Sequence, residues 1–184
     1  MIKYNLCFIK QGTKILLLNR EFPSWMGCWN GVGGKLEKNE HPRLSVLREI
    51  YEETQIDSPN IQFKGLLTWT ILEKNECGGL YLYLAELPEE AVYQTPKKTD
   101  EGILDWKEIS WILHPENFGV AANIPSCIDK MLKDKRCFHH HCIFEAGKMI
   151  QQIALVIDSV IEDDEALRTD YLSTYIIEEA CGIR

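Results

Sequence analysis

The sequence predicts a mixed α+β fold built as one domain. Three observations carry that: β-rich runs stand towards both ends of the 184-residue chain, a strongly periodic helix stands between them, and no internal repeat or proline-rich linker divides them. Residues 2–10 and 13–20 are β-rich and separated by Gln11-Gly12, the pattern of a tight turn. From Glu21 to Gly34, Pro23, Gly27, Gly31, Gly33 and Gly34 hold too much glycine for regular structure, so a long loop is expected. Pro42 suits a first helical turn, and Leu44, Leu47, Ile50, Tyr51 and Thr54 recur at helical spacing up to Gln55. Strands are expected over 61–72, 79–87 and 103–113, the last containing Trp106 and Trp111, and a helix over 124–133. A final hairpin turns at Ala146-Gly147. Beyond it Val156, Ile157, Val160, Ile161, Leu172, Tyr175 and Ile176 read as amphipathic helix, broken by the acidic run Glu162 to Glu165.

Composition narrows the function. With 28 acidic and 20 basic residues the formal charge is −8, the wrong sign for coating a nucleic-acid polymer. No apolar run approaches the roughly 20 residues of a membrane span. The first residues lack a secretory leader pattern, so a cytoplasmic address is expected. Seven scattered cysteines without a C-x-x-C pair read as reduced thiols. The run Cys137-Phe138-His139-His140-His141-Cys142 is rich in zinc-type ligands, but neighbours on a strand point to opposite faces, which favours a structural strand over a metal site.

The helix carries the chemistry. At about 100° per residue, with Glu49 set at zero, Glu52 falls near 300° and Glu53 near 40°. Leu44, Leu47, Ile50, Tyr51 and Thr54 occupy the arc from about 100° to 220° and are expected to be the packing face. Three carboxylates gathered on one side repel one another, at roughly 0.2–0.5 kcal/mol per pair, unless a cation joins them. Oxygen donors without sulfur or imidazole select Mg²⁺ or Mn²⁺, and Mg²⁺ commonly bridges to substrate phosphates. An isolated E-x-x-E-E is also compatible with a solvated acidic face.

Those glutamates sit in a longer pattern: Gly34, five residues, Glu40, seven residues, then Arg48-Glu49-Ile50-x-Glu52-Glu53-x-Gln55-Ile56. This resembles the Nudix box, G-x5-E-x7-R-E-U-x-E-E-x-G-U with U a bulky aliphatic, with Gln55 in place of its last glycine. The resemblance implies an α/β/α sandwich with a mixed sheet over residues 1–155; residues 156–184 lie beyond it, and from their helical pattern they are expected to form a helical extension packed on the same domain. It implies Glu49, Glu52, Glu53 and the Gly33 carbonyl as metal ligands, Gly34 and Glu40 as support, and Arg48 as the group that holds a glutamate. Glu49 or Glu53 would orient the attacking water, and Glu101 would stand as an extra glutamate near the metal. Where the family places glycine, Gln55 would cost on the order of 1 kcal/mol if a left-handed helix end is kept.

The segment Trp29-Asn30-Gly31-Val32-Gly33-Gly34-Lys35 is similar to W-N-G-x-G-G-K of the MutT-related branch, whose enzymes remove oxidised purine nucleoside triphosphates. The resemblance implies a Mg²⁺-dependent pyrophosphohydrolase acting on purine nucleoside triphosphates such as 8-oxo-dGTP, yielding monophosphate and diphosphate. Other substrates compatible with the box are ADP-ribose, a dinucleoside polyphosphate or a nucleotide sugar; a nucleotide sensor without turnover is the reading from another class. Asn30 either reads a purine edge or caps a turn. Glu116 and Asn117, in a segment partly like W-P-D-D of related oxidised-purine hydrolases, are candidate base readers. Arg20 and Lys35 are candidate phosphate contacts. Of Phe22, Trp25, Trp69, Trp106 and Trp111, one is expected to stack on a base. The expected partner is a small nucleotide, with no nucleic acid or membrane, and the chain a monomer or homodimer.

Overall fold

The computed structural model describes residues 2–57 and 59–180. Its strands are β1 (Ile2–Gln11), β2 (Lys14–Arg20), β3 (Trp29–Asn30), β4 (Asn60–Ile71), β5 (Glu76–Glu86), β6 (Lys97–Lys98), β7 (Gly102–Glu108), β8 (Cys137–Glu145) and β9 (Lys148–Ile157). Helices are α1 (Pro42–Thr54), α2 (Ile109–Ile112), α3 (Ile124–Lys133) and α4 (Glu165–Ala180). All strands join one mixed sheet in the order β6-β7-β2-β1-β5-β4-β8-β9, with β3 paired beside β2. The β1/β5 and β4/β8 pairs are parallel and the others antiparallel.

The strand period of two sorts side chains into two cores. Cys7, Ile9, Leu16 and Leu18 pack with Val46 and Ile50 of α1 and Leu172 of α4, whereas Leu6, Phe8, Ile15 and Leu17 pack with Ile112 of α2 and Ile124, Cys127, Ile128 and Met131 of α3. Helices therefore cover both faces, the expected sandwich. No helix among the described residues is long and apolar enough to cross a membrane.

The sequence misreads α1's inner face. Leu44 and Tyr51 are 63% and 51% exposed, while Pro42, Ser45, Val46, Ile50 and Thr54 are buried. The buried arc is thus centred near Glu49 and Glu53 rather than opposite them, because small residues let the helix lie close on the sheet and turn those carboxylates inward. Gln55 adopts the left-handed conformation (φ 65°, ψ 19°) required at this helix end, and its backbone and side-chain N–H groups donate to Tyr51 O. The expected strand over 103–113 ends at Glu108, where the chain turns into α2.

Val156 and Ile157 also correct the sequence reading: they finish β9 instead of opening a helix, a 3₁₀ turn follows over Ser159–Glu162, and α4 begins at Glu165. The Ile176 side chain and residues 181–184, including Cys181, lie outside the described residues. Strand β8 alternates as expected. His139 and His141 contact Tyr171 and Tyr175 of α4, and both rings bond Thr68 Oγ1 at 2.7 Å; His140 points to the other face, against Phe138. The described cysteines are free thiols.

The extension is tied to α1 by a buried charge. Glu162, 7% exposed, accepts from Arg43 Nε at 3.2 Å, Arg43 Nη2 at 3.3 Å and the Tyr83 hydroxyl at 3.0 Å. Arg43 belongs to the first turn of α1, so the chain's last segment fixes the entry of that helix.

Candidate active site

The glycine loop reaches the site by pairing with β1. Cys7 and Val32 exchange backbone hydrogen bonds, Asn5 N donates to Gly34 O at 2.9 Å, and Leu36 N donates to Lys3 O. Gly33 (φ 151°) and Gly34 lie where side chains cannot. A Cβ on Gly33 would stand 2.4 Å from Asn5 O, and one on Gly34 would stand 2.4 Å from the Glu49 carboxyl. This close approach sets the two glycines against α1's inner face. Asn5 Nδ2, which donates to Ser45 Oγ, pins the same contact from below.

Arg48 organises the acids. Its Nε and Nη2 donate to the two oxygens of Glu40 at 2.9 Å each, while Nη1 donates to Glu49 Oε1 at 2.9 Å and to Glu52 Oε2 at 3.1 Å. The guanidinium holds Glu40 down to about 2, helped by the Glu37 amide. Glu49 is raised, chiefly by burial. Glu53 is raised to about 8 by burial first and then by the charges of Glu49 and Glu101, against the opposing effects of the Gly33 amide and Arg20. Its Oε2 is buried without a hydrogen-bond partner.

Glu49, Glu53 and Glu101 line a cavity of about 630 Å³ together with Arg20, Lys35 and the Gly33-Gly34 backbone. The same lining contains the aromatic residues Tyr4, Trp25, Trp69 and Phe144. Trp69 is paired across the sheet with Gly78, and its indole lies over that residue; Tyr4 and Trp69 are 6.5 Å apart between ring centres. Trp25 and Trp69 are thus the candidates from the aromatic set that reach the cavity. Phe22 and Trp111 are exposed, and Trp106 donates to Tyr93 O; none of these three is in its lining.

The remaining predicted residues divide. Asn30 lines the cavity, with its Oδ1 accepting from Gly31 N at 2.8 Å, so it both turns the loop and borders the site. Arg20 donates to Ser24 O and Lys35 O accepts from Arg48. Glu52 stands on the exposed edge of α1, joined to Glu49 through Arg48, and Glu40 stands behind it; neither lines the cavity. Glu116 and Asn117 also stand apart: Glu116 is exposed, and Asn117 folds its own loop by donating to Trp111 O and accepting from Gly119 N.

In their place the cavity contains Asn123, 8% exposed, whose Oδ1 is buried and unpartnered. Asn123 occupies the N-cap position of α3 without using its side chain as a cap. The sequence signal, Asn before Ile-Pro, looks like an ordinary helix start.

The NUDIX domain model matches residues 5–133, well over half the chain. The chain belongs to the Nudix family. This Nudix protein is 29% identical over 133 residues to the uncharacterised Nudix hydrolase YvcI of Bacillus subtilis, covering 72% of this chain and 80% of that one. It is 24% identical over 109 residues to the oxidized purine nucleoside triphosphate hydrolase of Mus musculus, covering 59% of this chain and 67% of the mouse protein. Its fold superimposes on the MutT protein from Bacillus halodurans with a TM-score of 0.68 at 24% identity, covering 82% and 95% of the two chains.

The donor set fits a hard divalent cation. Among the described residues no three acidic, histidine or cysteine side chains are grouped so as to grip an ion, and Arg48 bonds both Glu49 and Glu52. The buried, unpartnered Glu53 oxygen and the raised Glu49 beside it are nonetheless the condition that a proton or a cation relieves, and all the donors are oxygen.

Proposed function

We propose that this protein is a Mg²⁺-dependent pyrophosphohydrolase that converts purine nucleoside triphosphates, oxidised ones such as 8-oxo-dGTP foremost, to the monophosphate and diphosphate. One observation carries the reading: a single cavity is lined both by acids, among them Glu53 with an unsatisfied oxygen, and by aromatic rings together with Asn123, whose Oδ1 is unsatisfied. A polyphosphate suits the acids once a cation is present. A flat ring carrying N–H donors suits the aromatic residues and Asn123, since an amide oxygen accepts from such an edge and aromatic walls cover its faces. The similarity to the mouse hydrolase points the same way.

Glu49 and Glu53, with Glu52 and the Gly33 carbonyl, would hold the ion. When bound, Mg²⁺ would neutralise phosphate oxygens and make a water more acidic. The side chains have their own tasks. Arg48 bridges Glu49 and Glu52 and is itself braced by Glu40. Arg20 and Lys35 offer positive charge to the phosphates at the cavity wall. Glu53 or Glu49 accepts the proton of the attacking water as its oxygen bonds to phosphorus, and the bridging P–O bond breaks to release diphosphate. Glu101 adds negative charge beside Glu53 and so makes it the more basic.

The test is a panel of purified protein, Mg²⁺ and nucleotides with product analysis. Diphosphate and monophosphate from 8-oxo-dGTP, lost at least a hundredfold in Glu53→Gln while the melting temperature holds, is the expected result. Preferential consumption of ADP-ribose, or full activity in Glu53→Gln, would overturn it.

A further inference from the structure

We infer that the β8–β9 hairpin is part of the substrate site, with Phe144 as a specificity-determining residue that stacks on the nucleobase. The inference rests on the nucleotide reading above but concerns a segment outside the family-matching residues 5–133. Strand β8 is added in parallel beside β4, in a register that sets Trp69 opposite Cys142 and Ile71 opposite Phe144. Trp69, Ile71 and Phe144 all line the cavity, so the added strand lengthens its apolar wall by one ring.

One contact places that ring. Phe144 continues the unbroken β4/β8 register opposite Ile71, the extra residue of the β8/β9 irregularity, Ile150, falling on β9. Phe144 meets Trp25 of the glycine loop edge-on, with ring centres 6.0 Å apart. Loop and hairpin, more than a hundred residues apart in sequence, thus both give rings to the cavity. Phe144 is only half-buried, so its ring retains surface for a ligand.

A base stacked there loses a sequence-tolerant contact when the ring is removed. Phe144→Leu keeps most of the packing volume, Phe144→Tyr keeps the aromatic face, and thermal melts verify folding of both. Binding of 8-oxo-dGMP is read by calorimetry, which needs no turnover, and steady-state kinetics use 8-oxo-dGTP and the base-free ribose 5-triphosphate. Phe144→Leu is expected to raise both the Kd and the nucleotide KM about tenfold. Its kcat should stay within about twofold, its KM for the base-free compound should not change, and Phe144→Tyr should restore wild-type values. A Phe144→Leu protein that matches wild type on nucleotides, or loses the base-free compound equally, overturns the inference, as does a wild type that binds no purine mononucleotide. If wild type binds the mononucleotide through Phe144 yet releases no diphosphate, the pyrophosphohydrolase reading fails and the stacking role stands.

Discussion

Gly34→Ala separates what the fold needs from what the chemistry needs. The new Cβ would stand 2.4 Å from the Glu49 carboxyl, whereas ordinary contact begins near 3.4 Å, so the carboxyl must retreat by about 1 Å. Glu49 sits at the flexible end of a side chain, and Gly34 does not have a positive φ, so the fold is little disturbed; reduced freedom of the unfolded chain offsets part of any cost, by roughly 0.4–1 kcal/mol. The retreat also strains the 2.9 Å bond from Arg48. Misplacement of a catalytic group by about 1 Å can cost on the order of a hundredfold in rate. The expected outcome is therefore a melting temperature within a few degrees of wild type and kcat/KM for diphosphate release down about a hundredfold. Undiminished kcat/KM in a folded Gly34→Ala protein would refute the placing of Glu49 in the machinery.

Two further outcomes follow from the charges. Because Glu53 titrates near 8 in the metal-free protein, it is mostly protonated at pH 7; Mg²⁺ uptake should release close to one proton there, read by calorimetry in buffers of differing ionisation enthalpy, and apparent affinity should rise up to about tenfold per pH unit before levelling above about pH 8. The same raised carboxyl favours the metal-free fold fully below about pH 4.5, an advantage lost as pH rises towards about 8, so metal-free melts should decline across that window and Mg²⁺ should reverse the trend. Arg43→Met leaves Glu162 with the Tyr83 hydroxyl but without its counter-charge; as Arg43 itself is partly exposed, the expected loss is about 2–3 kcal/mol in urea denaturation, largely recovered in the Arg43→Met/Glu162→Gln double variant.

Local patterns were legible and distant ones were not. Helix α3 matches its expected span, Ile124–Lys133, because Pro125 and the apolar period both speak locally. The turn at Ala146-Gly147 is as readable, and the spacing from Gly34 to Glu53 picks out Gly34, Glu49 and Glu53 of the cavity lining. Apolar character alone does not reveal the inner face of α1: Leu44 and Tyr51 are exposed, while Ser45 and Thr54 are buried with hydrogen bonds that satisfy them. Val156 and Ile157 suit either a strand or a helix, and pairing with β8 decides between them. Asn123 and Phe144 carry no motif of their own; parallel strand placement and the packing of α3 bring them from separate parts of the chain to one hollow.

The insertion of β8 between β4 and β9 also governs how much of the chain can be cut away. A fragment stopped at residue 133 would present the outer rim of β4 bare, its row of amides and carbonyls from Gly65 to Ile71 deprived of their mates. Such a rim invites any extended peptide nearby, including the same rim on a sister molecule. The β8–β9 hairpin thus acts as a selvedge for β4 as well as a wall, and truncation at the family boundary should yield a product that self-associates more than the full chain.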